Sequence, residues 1–135
     1  MIKKILIVED HEDFRTTVKG YLASQKLNVE IYDVGSGEEA VEESSRLNPD
    51  IVLMDIRLPN MNGIEAAGLI KKLCPQAEII ALTVFETQAF RETFKSKDIA
   101  VYIGKSELYE KLIPRIKNIL NKKNGMERQR TEVSQ

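Results

Sequence analysis

Four apolar runs in this chain each stop on a group that can do chemistry. Ile5-Leu6-Ile7-Val8 ends on Glu9 and Asp10, and Ile51-Val52-Leu53-Met54 ends on Asp55. The run from Ile79 ends on Thr83, and the one before Gly104 ends on Lys105. Singly, each has an ordinary explanation. An acidic pair caps and charge-complements a following helix, Asp55 forms a turn, Thr83 is a β-branched strand residue and Lys105 is a solvated lysine. Gathered at one place they would do something specific. Crowded carboxylates repel, so they either share a proton or hold a cation. Oxygen ligands without histidine or cysteine suit a hard ion, and Mg²⁺ held by few carboxylates and several waters is the natural choice. Such an ion would neutralise an incoming phosphoryl group. Asp55 would then attack phosphorus, with Thr83 donating a hydrogen bond and Lys105 countering the oxyanion charge.

Whether these residues meet depends on the elements that carry them. Ile5 to Val8 reads as a strand, after which Phe14, Val18, Tyr21 and Leu22 recur at helical spacing. Val29 to Tyr32 is a second strand, and Ser36 with Glu39 signals a capped helix running to about Leu47. Asp50 to Met54 is a third, fully buried strand, and Asn62 caps a helix from Gly63 to about Leu73 that Pro75 stops. Ile79 to Thr83, a helix over Glu86 to Lys95, and Ala100 to Ile103 follow. Leu108, Leu112 and Ile116 mark the inner stripe of a last helix ending near Leu120, with Pro114 an expected kink.

Alternating strands and helices with short links predict a doubly wound α/β fold: a five-stranded parallel sheet in the flavodoxin-like order 2-1-3-4-5, with five helices on its two faces. In such sheets ligands bind beyond the carboxyl ends of the strands, where the order reverses. In that order the strands ending on Glu9-Asp10, Asp55, Thr83 and Lys105 are consecutive neighbours, so the reactive groups share one rim. Residues 1–121 are read as this domain. Residues 122–135 lose the apolar period and are read as a polar mobile tail or the start of a linker.

The bulk properties fit one domain. The chain has 135 residues, 42% of them hydrophobic, and a net charge of -1 from 20 basic and 21 acidic residues. That balance provides no field for nucleic acid or an anionic membrane. Cys74 is the single cysteine, which excludes an intrachain disulfide and points to a reducing, cytoplasmic setting. Glu9-Asp10 interrupts the first apolar run before it could serve as a signal peptide, and no stretch approaches the roughly 20 apolar residues of a membrane span.

At these residues the sequence resembles the receiver domains of two-component response regulators, of the single-domain chemotaxis type or the receiver part of a DNA-binding regulator. The matching pieces are "ILIVEDHEDFR", "DIVLMDIRLPNMNGIEA", "ALTVFE" and "VYIGKS", in register from about Lys3 to about Leu120. The last two are similar in style to receivers of DNA-binding regulators. The resemblance implies a signalling phosphoacceptor that catalyses only its own phosphorylation and dephosphorylation. A sensor histidine kinase would pass a phosphoryl group to Asp55. Glu9, Asp10, Asp55 and the backbone carbonyl of Arg57 would hold Mg²⁺. Thr83 and Lys105 would bind the phosphoryl oxygens, and Thr83 with Tyr102 would form the switch. It also implies a changed surface on the fourth helix, fifth strand and fifth helix that controls a downstream target or output domain, and a phosphorylation-dependent homodimer. Direct contact of this chain with nucleic acid or membrane is not expected. Val84 and Ser106 depart from the small residue and the proline that family members often carry there.

Rival functions fit less well. A degenerate receiver serving as a docking module would lack an acid or the lysine, and all are present. An aspartate-nucleophile phosphatase of the haloacid-dehalogenase type needs a second acid where Arg57 stands. A flavin or nucleotide binder would want a glycine-rich loop after the first strand, and this chain has Glu-Asp-His-Glu-Asp. His11 reads as a surface or capping residue. Phe85, Phe90 and Phe94 read as packing around the fourth helix, Cys74 as a small packing residue, and Lys122, Lys123, Arg128 and Arg130 as solvated charges.

Overall fold

The structure is a computed structural model that describes residues 2–84, 86–93 and 95–134, and side chains as far as Glu127. The expected packing of Phe85 and Phe94, and the solvation of the Arg128 and Arg130 side chains, lie outside the described residues. The strands are β1 (Lys3–Val8), β2 (Val29–Val34), β3 (Ile51–Asp55), β4 (Glu78–Thr83) and β5 (Val101–Gly104). They form a five-stranded sheet in the order β2-β1-β3-β4-β5, and every pairing is parallel. The helices are α1 (Glu12–Ser24), α2 (Gly37–Leu47), α3 (Gly63–Leu73), α4 (Gln88–Thr93) and α5 (Leu108–Ser134). This is the doubly wound fold that the alternation of elements predicts.

The two-residue period of the strands divides the core into two layers. Leu6, Val8, Val52, Met54, Ile79 and Ala81 pack with Ala40, Leu47, Ala66, Ala67 and Ile70 of α2 and α3. Their alternates Ile5, Ile7, Ile51, Leu53, Ile80 and Leu82 pack with Val18 and Leu22 of α1 and Leu108, Leu112 and Ile116 of α5. Both faces of the central strands are covered, so these strands read as unbroken apolar runs rather than alternating ones.

Two helix starts follow their capping signals. The Ser36 hydroxyl accepts the Glu39 amide at 3.1 Å, and the Asn62 side chain accepts the Glu65 amide at 2.9 Å. The fourth helix begins later than expected, because the Thr87 hydroxyl accepts the Phe90 amide at 3.2 Å and caps the chain there. The largest departure is in α5. The helix expected to end near Leu120 continues to Ser134, through the segment from residue 122 read as a polar mobile tail or the start of a linker. Its inner stripe changes from apolar to polar rather than ending: Lys123 donates to the Gln76 carbonyl, and Glu127 pairs with Lys3 at the start of β1. A search for apolar periodicity does not register such anchors. Pro114 lies inside α5 at an exposed position, where water can reach the Glu110 carbonyl that loses its amide partner.

The loop after β3 is held tightly. Ile56 and Leu58 are buried, Asn60 adopts a left-handed φ of 63°, and the Gly63 amide donates to the Ile56 carbonyl at 2.9 Å. A methyl group on Gly63 would overlap the Asp55 carbonyl oxygen and stand 2.7 Å from the Ile56 Cα, both of them backbone atoms. Gly63→Ala is therefore expected to destabilise the fold by about 1–3 kcal/mol, as overpacking against an unyielding neighbour does. Urea unfolding checks this, and unchanged stability would mean that the loop is looser than described.

Candidate functional site

The register brings the reactive residues together. Val8 pairs with Met54, so the residues that follow them, Glu9 and Asp55, occupy the next rung. Asp55 pairs with Leu82, and Thr83 pairs with Gly104, directly before Lys105. Glu9 and Asp55 are 2% and 5% exposed. The Lys105 ammonium lies 3.1 Å and 3.3 Å from the two Glu9 oxygens and 3.5 Å from Asp55 Oδ2. The other Asp55 oxygen accepts the Arg57 amide at 3.0 Å. Glu9, Asp10, His11 and Asp55 each offer one ligand atom, all within 4.8 Å of one another.

The electrostatics follow from this crowding. Burial, and then the neighbouring Glu9 charge, push the Asp55 carboxyl from 3.8 up to about 6, while Lys105 and the Arg57 amide pull it part of the way back. Asp10 Oδ1 is buried without a hydrogen-bond partner. One lysine stands against three carboxylates, and this oxygen, which makes no hydrogen bond, has only the His11 ring nitrogen nearby at 3.4 Å. Buried polar atoms are rarely left so. The donor set therefore fits a hard divalent cation bound through carboxylate oxygens.

By strand alternation, Thr83 and Tyr102 fall on the opposite face of the sheet from Asp55. Leu82 packs toward α1 and α5 while Ala81 packs toward α2 and α3, so alternation puts Thr83 on the second face. Tyr102 pairs with Ala81 and packs on that same face. Its ring is half-buried, and its hydroxyl accepts the Ser96 amide at 2.9 Å.

A family model, the response regulator receiver domain, matches residues 5–117. The chain belongs to the response regulator receiver family. It is 37% identical over 102 residues to the response regulator protein VraR of Staphylococcus aureus, covering 75% of this receiver and 47% of that protein. The chain thus spans about half the length of the curated relatives it matches. Among solved structures it is similar to TrrA of Thermotoga maritima in complex with Mg²⁺–BeF, at 32% identity and a TM-score of 0.78, covering 87% of this chain and 99% of that one. It is also similar to a LuxR-family regulator from an Aurantimonas species, at 27% identity and a TM-score of 0.79, covering 90% and 86%. Among the described residues no helix of the receiver is long and apolar enough to cross a membrane.

The contacts that three residues make near the acids were not in the sequence reading. Arg15 donates to the Glu9 carbonyl at 2.8 Å and to Asp33 at 3.0 Å, which fixes the strand end that presents the acids. Burial opposes ionisation of Asp33, but Lys19 and Arg15 outweigh it and hold its carboxyl below the usual range. His11 is exposed, as expected. Its side chain makes no cap, however, and its Nδ1 is 3.1 Å from Glu9 and 3.4 Å from Asp10. Phe14, read as a packing residue, has its ring 4.4 Å from the Lys105 ammonium.

The raised Asp55 value has a consequence for stability. The native state holds this proton more tightly than the unfolded chain, so ionising Asp55 costs stability between its unfolded value of 3.8 and about 6, and the full cost remains above that. At 1.36 kcal/mol per pH unit the ceiling is roughly 3 kcal/mol. In chelator, Asp55→Asn is expected to stabilise the protein by roughly 1–3 kcal/mol at about pH 7.5 and by nearly nothing at about pH 4. An equal gain at both pH values, read by urea unfolding, would contradict the crowding account.

Proposed function

We propose that this receiver is a phosphorylation-dependent switch in which Asp55 takes a phosphoryl group from a sensor histidine kinase. The observation that carries this reading is Asp55 itself, a buried carboxylate at a strand end beside Glu9 and Lys105, close to an Asp10 oxygen that makes no hydrogen bond. Glu9, Asp10, Asp55 and the Arg57 carbonyl would hold Mg²⁺. When bound, that ion would neutralise charge on the phosphoryl oxygens. An Asp55 carboxylate oxygen attacks phosphorus in line as the bond from phosphorus to the donor's imidazole nitrogen breaks, and the electron pair leaves with the imidazole. With its proton lost above about pH 6, Asp55 is mostly ionised near neutrality. Lys105, 15% exposed at its side chain, moves from Glu9 and Asp55 toward the new phosphoryl oxygens.

The readout runs through Thr83 and Tyr102. Thr83 turns its hydroxyl toward the phosphoryl oxygens, which vacates space on the face it shares with Tyr102. Tyr102 then moves inward from its bond to the Ser96 amide, and the surface of α4, β5 and α5 changes. That surface acts on a downstream partner or output domain. Residues 1–121 form the receiver, and the helix beyond them starts the linker to such a domain, consistent with relatives about twice as long.

With Mg²⁺ and acetyl phosphate, the wild type is expected to gain one labile phosphoryl mass that Asp55→Asn does not gain. Labelling of Asp55→Asn at the wild-type level would refute the assignment. With Mg²⁺ and beryllofluoride, the Ser96 and Tyr102 amide signals of the wild type should shift, and Thr83→Ala should lose most of that response. A full response in Thr83→Ala would rule out this route.

A further inference from the structure

The Lys105 ammonium has partners of two kinds. Glu9 and Asp55 are carboxylates at 3.1 Å and 3.5 Å, and both are candidate metal ligands. The third is neutral: the ammonium sits 4.4 Å from the centre of the Phe14 ring, within the range of a cation–π contact. Phe14 is in the first turn of α1 and half-buried, with its side chain packed against the layer formed with α5. We propose that Phe14 is a positioning residue whose ring face keeps Lys105 over the site when Mg²⁺ takes up the Glu9 and Asp55 carboxylates. This rests on the phosphoacceptor reading above.

Lys105 and a bound cation would compete for the same carboxylates. Glu9 and Asp55 would give a divalent ion the same oxygens that hold Lys105, and the ion's charge would repel the ammonium. A long lysine stem released from both carboxylates would sample many rotamers and lose its aim at the incoming phosphoryl group. The attraction of an ammonium to a ring face is not consumed by metal binding, and the ring shields one side of the ammonium from water. Lys105 thereby stays poised and needs only a short movement to reach phosphoryl oxygens. Leucine at position 14 would fill similar space without that face. Tyrosine would keep it.

The test begins with the side chain itself. The ring current of Phe14 should shift the Lys105 ε-methylene protons upfield in metal-free wild type, and the shift should persist under saturating Mg²⁺. It should vanish in Phe14→Leu and survive in Phe14→Tyr. Labelling by acetyl phosphate should slow roughly 3- to 20-fold in Phe14→Leu, in keeping with one cation–π contact, and Phe14→Tyr should restore it. In a Lys105→Met background, Phe14→Leu should slow labelling no further. If Mg²⁺ abolishes the upfield shift in wild type that is otherwise labelled, the inference is overturned while Asp55 stands as the acceptor. An equal slowing by Phe14→Leu with and without Lys105 would also overturn it, because that is the mark of packing alone. A wild type that takes no label would instead refute the acceptor reading, whatever the methylene shift.

Discussion

Everything at the carboxyl edge of this sheet depends on one imbalance, a single ammonium set among carboxylates that water reaches poorly. Lys105 bridges Glu9 and Asp55, yet Asp55 still holds its proton up to about pH 6, and Asp10 keeps a buried oxygen without a hydrogen bond. Coulomb repulsion between acids this close is not relieved by one lysine. The arrangement calls for more positive charge, and in the proposed function that need would link metal binding to phosphoryl chemistry. The same imbalance makes the site costly to the metal-free fold, as sites held ready for ligands commonly are.

The fold sustains this cost by fixing the strand ends from several directions. Arg15 holds the Glu9 carbonyl, the Arg57 amide holds Asp55, and Gly63 lets α3 start directly against the Asp55 carbonyl. Strand alternation then divides the labour. Asp55 shares a face with α1 and α5, where Phe14 meets Lys105, while Thr83 and Tyr102 share the opposite face. On the proposed reading, recognition of the phosphoryl group and transmission of its arrival would use different sides of one sheet and would meet where β4 and β5 end, at Thr83 and Lys105.

The central strands were legible because both of their faces are buried, which leaves unbroken apolar runs such as Ile5 to Val8 and Ile51 to Met54. Ser36 and Asn62 were legible as caps because capping is local. The acids, Thr83 and Lys105 were legible because each ends a strand, and the 2-1-3-4-5 order makes those strands neighbours. What escaped notice was polar and long-range. Lys3 with Glu127, and Lys123 with Gln76, extend α5 past its apolar stripe through contacts between residues far apart in sequence. Arg15 with Asp33, and Phe14 with Lys105, likewise form only once the layers have assembled.

The charge state of Asp55 is the property on which the rest of the site depends. Carboxyl carbon signals, assigned by comparison with Asp55→Asn, can be followed through pH with and without Mg²⁺. The account predicts that Asp55 titrates near 6 in chelator and moves to clearly lower pH when Mg²⁺ is added, because the cation favours the ionised form. A midpoint at the ordinary value in chelator, or one that Mg²⁺ does not move, would contradict it.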